Sequence, residues 1–335
     1  MIDKIRGMFA GIAIGDLLGM PVESYTSQRI AEIYPKGISG YVEPVNHKYY
    51  SSIQITDDTQ LSVAVAQAIM ESKGFDMISQ TKYHVNAFRE SVTGWGTSSR
   101  EAVRRLANGV NWYMSGVTAS EDHIGLGNGI TMKIAPLAAY ATKRYEPDLH
   151  QKIIDFGAMT HNSKNACIAG LIHFRVLYHL LNCKEEKLSP KKDCIDHAVA
   201  VIEWGDKDFV NDTVFYSTDR LKDFNPTIED AFYRLLSVFE NKIAWENVKK
   251  EFGYGSCPVH NSLPFTYAYF FKSPTIQGLY DLVNAGGDTD SNASMFGAML
   301  GAWKGMSVWT PELLNRPDVK GMVNLADEFC NAIGV

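Results

Sequence analysis

Apolar and polar positions alternate along this chain almost everywhere with a helical rhythm. After Thr56-Asp57-Asp58-Thr59-Gln60, Leu61, Val65, Ala68 and Ile69 recur at three- and four-residue intervals, which predicts a helix opening at the acidic pair. The segments 85–92, 99–110, 130–145, 165–182, 194–205 and 229–242 carry the same period, whereas period-two runs rich in Val, Ile and Thr are nearly absent. Glycine and proline punctuate the intervals between them. The pattern predicts an all-α protein of many short helices, a single domain over 1–335 with no linker-like stretch dividing it. The segment 184–193 (KEEKLSPKKD) is the most solvated and reads as a surface loop between helices.

Two helical stretches carry a second period. Gly7, Gly11, Gly15 and Gly19 fall every fourth residue near the start, and Ala293, Gly297, Gly301 and Gly305 do so near the end. Residues four apart share one helix face, so each stripe is a groove that another backbone can enter. Glycine costs about 1 kcal/mol in a helix interior, so such stripes call for a packing reason. The two helices are expected to pack closely, on each other or on neighbours, and to seat rigidly whatever stands at their ends.

Composition narrows the function classes. The 335 residues are 45% hydrophobic and 21% charged, ordinary for a soluble globular chain. A net charge of −6 and a pI near 5.9 argue against a general nucleic-acid binder. The glycine-broken opening with Asp16 does not read as a secretory signal, and no charge-free run is long enough to span a bilayer. The five cysteines form no C-x-x-C pair, so neither a zinc knuckle nor a redox motif is indicated, and a reducing cytoplasm is expected.

The candidate chemistry stands at two helix starts. Asp288-Thr289-Asp290-Ser291 follows a glycine pair and opens an apolar run, and Thr56-Asp57-Asp58-Thr59 opens another. Acidic and hydroxyl residues cap helices and suit the macrodipole, but one carboxylate suffices for a cap. Two such clusters brought together would gather four carboxylates, a repulsion that a pair of divalent cations would relieve. An EF-hand loop beginning at Asp288 would need glycine at Ala293 and glutamate at Met299, and has neither. No phosphate-binding G-x-x-x-x-G-K-[ST] loop or G-x-S-x-G elbow is present.

Taken in order, GDLLGMPVE (15–23), TDDTQ (56–60), GNGITMKIAP (127–136), THNS (160–163) and AGGDTDSNASMFGAMLGA (285–302) resemble the ADP-ribosylglycohydrolases, the all-α family of dinitrogenase-reductase-activating glycohydrolases, ADP-ribosylhydrolases and J1 crystallins. The resemblance implies a compact orthogonal multi-helix domain and a binuclear Mg²⁺ or Mn²⁺ centre. It implies cleavage at C1 of the distal ribose of ADP-ribose, from an N- or O-linked protein side chain or a small ADP-ribose-like molecule. Thr56, Asp57 and Asp58 match the first ligand group; Asp288, Asp290 and Ser291 match the second, with Ser291 where relatives usually carry threonine. Glu23 matches the mobile-loop glutamate, and Glu23, Asp58 and Asp288 are the expected catalytic groups. Gly94, Trp95 and Gly96 resemble the glycine–aromatic–glycine loop along the diphosphate, and Gly127, Asn128 and Gly129 the loop lining phosphate and ribose. His161, beside Thr160, matches a substrate neighbour; Tyr254, Phe265 and Tyr269 are candidates for the adenine stack. Asp16 reads equally as a buried cap or a site residue. A monomer is expected, without nucleic-acid or membrane partners. Hydrolysis of O-acetyl-ADP-ribose or a nucleoside-like compound, and a non-catalytic ADP-ribose-binding or crystallin-like relative, are the alternatives; the intact carboxylates count against the second.

Overall fold

The computed structural model describes residues 1–117, 125–184, 196, 198, 216 and 226–335. Among these the regular elements are all helical, and the only extended pairings are isolated bridges, Thr26 with Gly286 and Gly127 with Pro258. The expected loop at 184–193 and helix at 194–205 lie, apart from isolated positions, outside the described residues. The other expected helices are present, with one correction. Residues 130–145 do not form one helix: a 3-10 turn, Thr131–Lys133, precedes a helix over Ala135–Lys143. Pro136 suits the break, because proline lacks an N–H and sits most easily in a helix's first turn.

At the centre, the helix Ile2–Gly19 runs antiparallel to the helix Thr289–Lys304, and the two small-residue stripes face each other. A methyl group on Gly11 would stand 2.1 Å from the Gly297 carbonyl oxygen, and one on Gly297 would stand 2.1 Å from that of Gly11. Further along, Gly15 meets the backbone of Ala293 and Gly19 that of Thr289. Contact is thus backbone to backbone, which only the absent side chains allow. Ile2–Val22 is long and apolar enough by composition to cross a membrane, yet 94% of its most apolar window is buried inside the protein, where it serves as the core helix.

This crossing decides where the chemistry stands. Because the helices are antiparallel, the C-terminal end of the first, with Asp16, Gly19 and the following Glu23, lies beside the N-terminal end of the second, with Asp288, Asp290 and Ser291. The Thr289 hydroxyl donates to the Gly19 carbonyl oxygen at 2.7 Å and closes the seam at that end. Around the pair, one continuous apolar cluster draws residues from Ile5 to Cys330.

Candidate metal centre

The helix Asp57–Ser72 has no cap of its own: the Thr56 side chain does not bond the helix's free N–H groups. Asp16, from the core helix, does the capping. Its carboxylate accepts the Thr56 N–H at 2.9 Å, the Thr59 N–H at 3.2 Å, the Thr56 hydroxyl at 2.8 Å and the Thr59 hydroxyl at 2.5 Å. Burial pushes Asp16 up to about 6, against these four bonds, which favour the charged form. Asp16 is therefore the fastening that aims Asp57 and Asp58, a role its sequence position leaves undecided.

The helix Thr289–Lys304 is positioned by a different device. Gly286 and Gly287 have φ of +83° and +96°, and a side chain on Gly287 would strike the Tyr254 carbonyl oxygen at 2.2 Å. The turn they make lets the Asp288 N–H donate to the Gly255 carbonyl oxygen at 3.0 Å. Asn128 donates to Asp288 Oδ2 at 2.7 Å and to Ser262 Oγ at 2.9 Å. Ser262 donates to Asn292 Oδ1 at 2.7 Å, and Asn292 donates to the Gly255 carbonyl oxygen at 2.7 Å. Asp288 is held by this closed ring of amides and hydroxyls. Sequence reasoning missed Asn292 and Ser262, although Asn292 stands inside the acidic motif.

The two clusters meet. Ser291 Oγ donates to Asp58 Oδ2 at 3.2 Å across 233 residues of chain. Glu23, Asp288 and Asp290 each bring a carboxylate oxygen within 4.8 Å of the other two. Asp57, Asp58 and Asp290 are buried, and the pKa values of all five carboxylates are raised, chiefly by burial. Repulsion adds to this: Asp288 acts on Glu23, Asp57, Asp58 and Asp290. Asp58 Oδ1 is fully buried and has no hydrogen-bond partner among the described residues. Leaving a buried oxygen unpaired is costly, and a hard cation is the partner that a carboxylate-rich, hydroxyl-rich donor set suits. The residues present therefore fit divalent metal.

Glu23 is gripped from a segment that carries no sequence signal. Tyr50 donates to Glu23 Oε2 at 2.7 Å; the Tyr50 ring stacks on His47 at 4.7 Å, and His47 Nε2 lies 3.0 Å from the Glu23 carbonyl oxygen.

The expected ligand loops surround this cluster. Gly94, at φ +79°, lies against Thr56 and Asp57, and the Gly96 backbone favours the charged form of Asp57. Trp95, by contrast, is buried: its Nε1 donates to Gln60 at 2.9 Å and its ring packs edge-on against Phe88. The glycines of this loop, not the indole face, border the cluster. Gly127 and Gly129 pack on the His161 ring, where a methyl on Gly129 would stand 2.3 Å from Cε1. Burial, then the charge of Lys133, lowers His161 to about 3, so its imidazole is neutral. Of the aromatic candidates, Tyr254 is 60% exposed, whereas Phe265 and Tyr269 are buried against each other and belong to the core.

Comparison with known proteins identifies the family and the fold. A family model described as ADP-ribosylglycohydrolase matches residues 1–334. The chain is 24% identical over 319 residues to the ADP-ribosyl-[dinitrogen reductase] glycohydrolase of Rhodospirillum rubrum, covering 95% of this chain and 91% of that one. It is 25% identical over 324 residues to an uncharacterized protein of Archaeoglobus fulgidus, covering 94% and 93%. Among solved structures, an ADP-ribosylglycohydrolase-related protein complex shares the fold, with a TM-score of 0.70 at 22% identity, covering 99% of this chain and 98% of that one.

Proposed function

Since the chain belongs to the ADP-ribosylglycohydrolase family, glycohydrolase-type enzymes, we propose that it hydrolyses the C1 N- or O-glycosidic bond joining ADP-ribose to a protein side chain, using two divalent cations, Mg²⁺ or Mn²⁺. The observation that carries this reading is the convergence of the Glu23, Asp288 and Asp290 carboxylates, joined to Asp58 through Ser291, with the buried Asp58 Oδ1 left unpartnered. Thr56, Asp57 and Asp58 would supply one side of the metal pair, and Asp288, Asp290 and Ser291 the other. The cations, when bound, neutralise the cluster and supply a Lewis acid beside the distal ribose.

The chain's own groups divide the remaining work. Cleavage at C1 passes through an oxocarbenium-like state, which the surrounding carboxylates stabilise. Water adds its oxygen to C1 as the bond to the acceptor breaks; Asp58 or Asp288 takes the water's proton, and the departing nitrogen or oxygen gains one. Glu23 is the candidate proton carrier: burial and Asp288 raise its pKa, and the Tyr50 hydroxyl orients its Oε2. The Gly94–Gly96 and Gly127–Gly129 loops would offer backbone N–H groups to the diphosphate, and Tyr254 an exposed ring to adenine.

The test is release of free ADP-ribose from arginine- and serine-ADP-ribosylated proteins, with Mg²⁺, with Mn²⁺ and with chelator, beside Asp288→Asn. Metal-dependent release that disappears in the variant supports the reading and names the acceptor. No release with any metal, from folded protein that still binds ADP-ribose, would sink it in favour of a binding protein or a different ribosyl substrate.

A further inference from the structure

Lys133 is a lysine with no exposed surface and no carboxylate within ion-pair distance among the described residues. Such a side chain is costly to bury unless its hydrogens are used. Its Nζ lies 3.2 Å from His84 Nε2 and 3.1 Å from Thr160 Oγ1, over the Phe156 ring. Thr160 Oγ1 in turn lies 3.1 Å from His161 Nδ1. His84, Lys133, Thr160 and His161 are all buried.

The chain of bonds has one fixed end. His84 Nδ1 stands 2.8 Å from the Gln80 carbonyl oxygen, which can only accept, so Nδ1 carries the hydrogen. In a neutral imidazole the other nitrogen is then a lone pair, so His84 Nε2 accepts from Lys133. Burial holds His84 neutral, its pKa well below the usual histidine range. Lys133 gives a second hydrogen to Thr160 Oγ1, which leaves the hydroxyl hydrogen free to go to His161 Nδ1. With that hydrogen directed at Nδ1, neutral His161 carries its own hydrogen on Nε2. That nitrogen lies against the glycine loop beside Asn128, the residue that holds Asp288, and no protein partner falls on it among the described residues.

We infer that Lys133 and Thr160 are positioning residues that lock His161 in the Nε2–H form, so that the pocket presents a neutral hydrogen-bond donor, not a base, to an oxygen of the bound ligand. The ligand half of this inference rests on the proposed function; the tautomer half does not. A donor fixed in one form selects a hydroxyl or phosphate oxygen and leaves proton removal to the carboxylates. It also accounts for a buried lysine where a methionine would cost less.

The experiment uses ¹⁵N-histidine-labelled full-length protein, Thr160→Val, which keeps shape and removes the hydroxyl, and Thr160→Ser, which restores it. Imidazole nitrogen shifts of His161 are read without ligand, and ADP-ribose affinity is read by calorimetry. The wild-type and Thr160→Ser proteins are expected to show Nε2–H alone. Thr160→Val, folded by circular dichroism, is expected to show mixed tautomers and about tenfold weaker ADP-ribose binding. An Nδ1–H or charged His161 in the wild type overturns the inference, as does a Thr160→Val protein with unchanged tautomer. A changed tautomer with unchanged affinity overturns the ligand half. Wild-type protein that fails to bind ADP-ribose would sink the proposed function instead, and Nε2–H shifts in that protein would still uphold the tautomer assignment.

Discussion

Replacing Gly11 by alanine adds one methyl group where the structure leaves no space. The new carbon would stand 2.1 Å from the Gly297 carbonyl oxygen and 2.8 Å from the Trp309 ring. Ordinary contact would require the two central helices to part by about 1.3 Å. The obstacle is backbone held by a helix ladder, so it cannot swing aside as a side chain would. Overpacking of a tight core costs about 1–3 kcal/mol, and more when backbone must move, against about 1 kcal/mol gained in helix propensity. We expect a net loss of about 2–3 kcal/mol, read as a lower urea midpoint at constant slope. The control is the same substitution at Gly321 in the helix Pro317–Ile333, where an added methyl meets nothing within 4 Å. Gly321→Ala should stabilise by about 0.5–1 kcal/mol. Opposite signs for one chemical change isolate the helix contact. A Gly11→Ala protein as stable as the wild type would refute the reasoning and mean that the helices do not meet backbone to backbone.

Buried polar groups give two further expectations. Asp16→Asn keeps the shape but replaces one acceptor oxygen by an NH2 group, which meets either the Thr56 hydroxyl on the Oδ1 side or the Thr56 N–H, the Thr59 N–H and the Thr59 hydroxyl on the Oδ2 side; stability should fall by about 2–3 kcal/mol and Mn²⁺ affinity by at least about tenfold, both by calorimetry, and unchanged metal affinity would mean that Asp16 does not aim the first ligand group. His173 is buried beside the Tyr267 hydroxyl at 2.9 Å, and burial lowers it to about 3. The unfolded chain then binds the extra proton below about pH 6.5, so the stability held by the neutral ring is complete above that pH and is lost as pH falls toward 3. In urea unfolding, the wild type should lose about 2 kcal/mol more than His173→Gln between pH 7 and pH 5; equal losses would show that His173 titrates normally in the fold.

Much of the site is legible in the amino-acid sequence, because its signals are local. Acidic and hydroxyl residues at a helix start announce themselves by composition, and a four-residue glycine spacing announces a groove whatever fills it. The orientation of Trp95 is not legible: a glycine–aromatic–glycine loop reads the same whether its ring faces a ligand or, as here, turns inward to Gln60 and Phe88. Nor is the role of Tyr50, since a tyrosine in a polar segment carries no mark of the glutamate it grips 27 residues away.

The helical class, the two acidic helix starts and the two stripes that let backbones touch are all written in residue order, since each depends on residues within one or two turns. Folding adds that the stripes face each other antiparallel, which places Glu23 beside Asp288 and Asp290 and Ser291 beside Asp58. It adds too that Asp16 caps a helix in another part of the chain, and that Lys133 ends on two uncharged partners. The physical reason is common to all of these. Spacing along the chain sets which residues share a helix face, but partners hundreds of residues apart are chosen by which faces fit when the core closes.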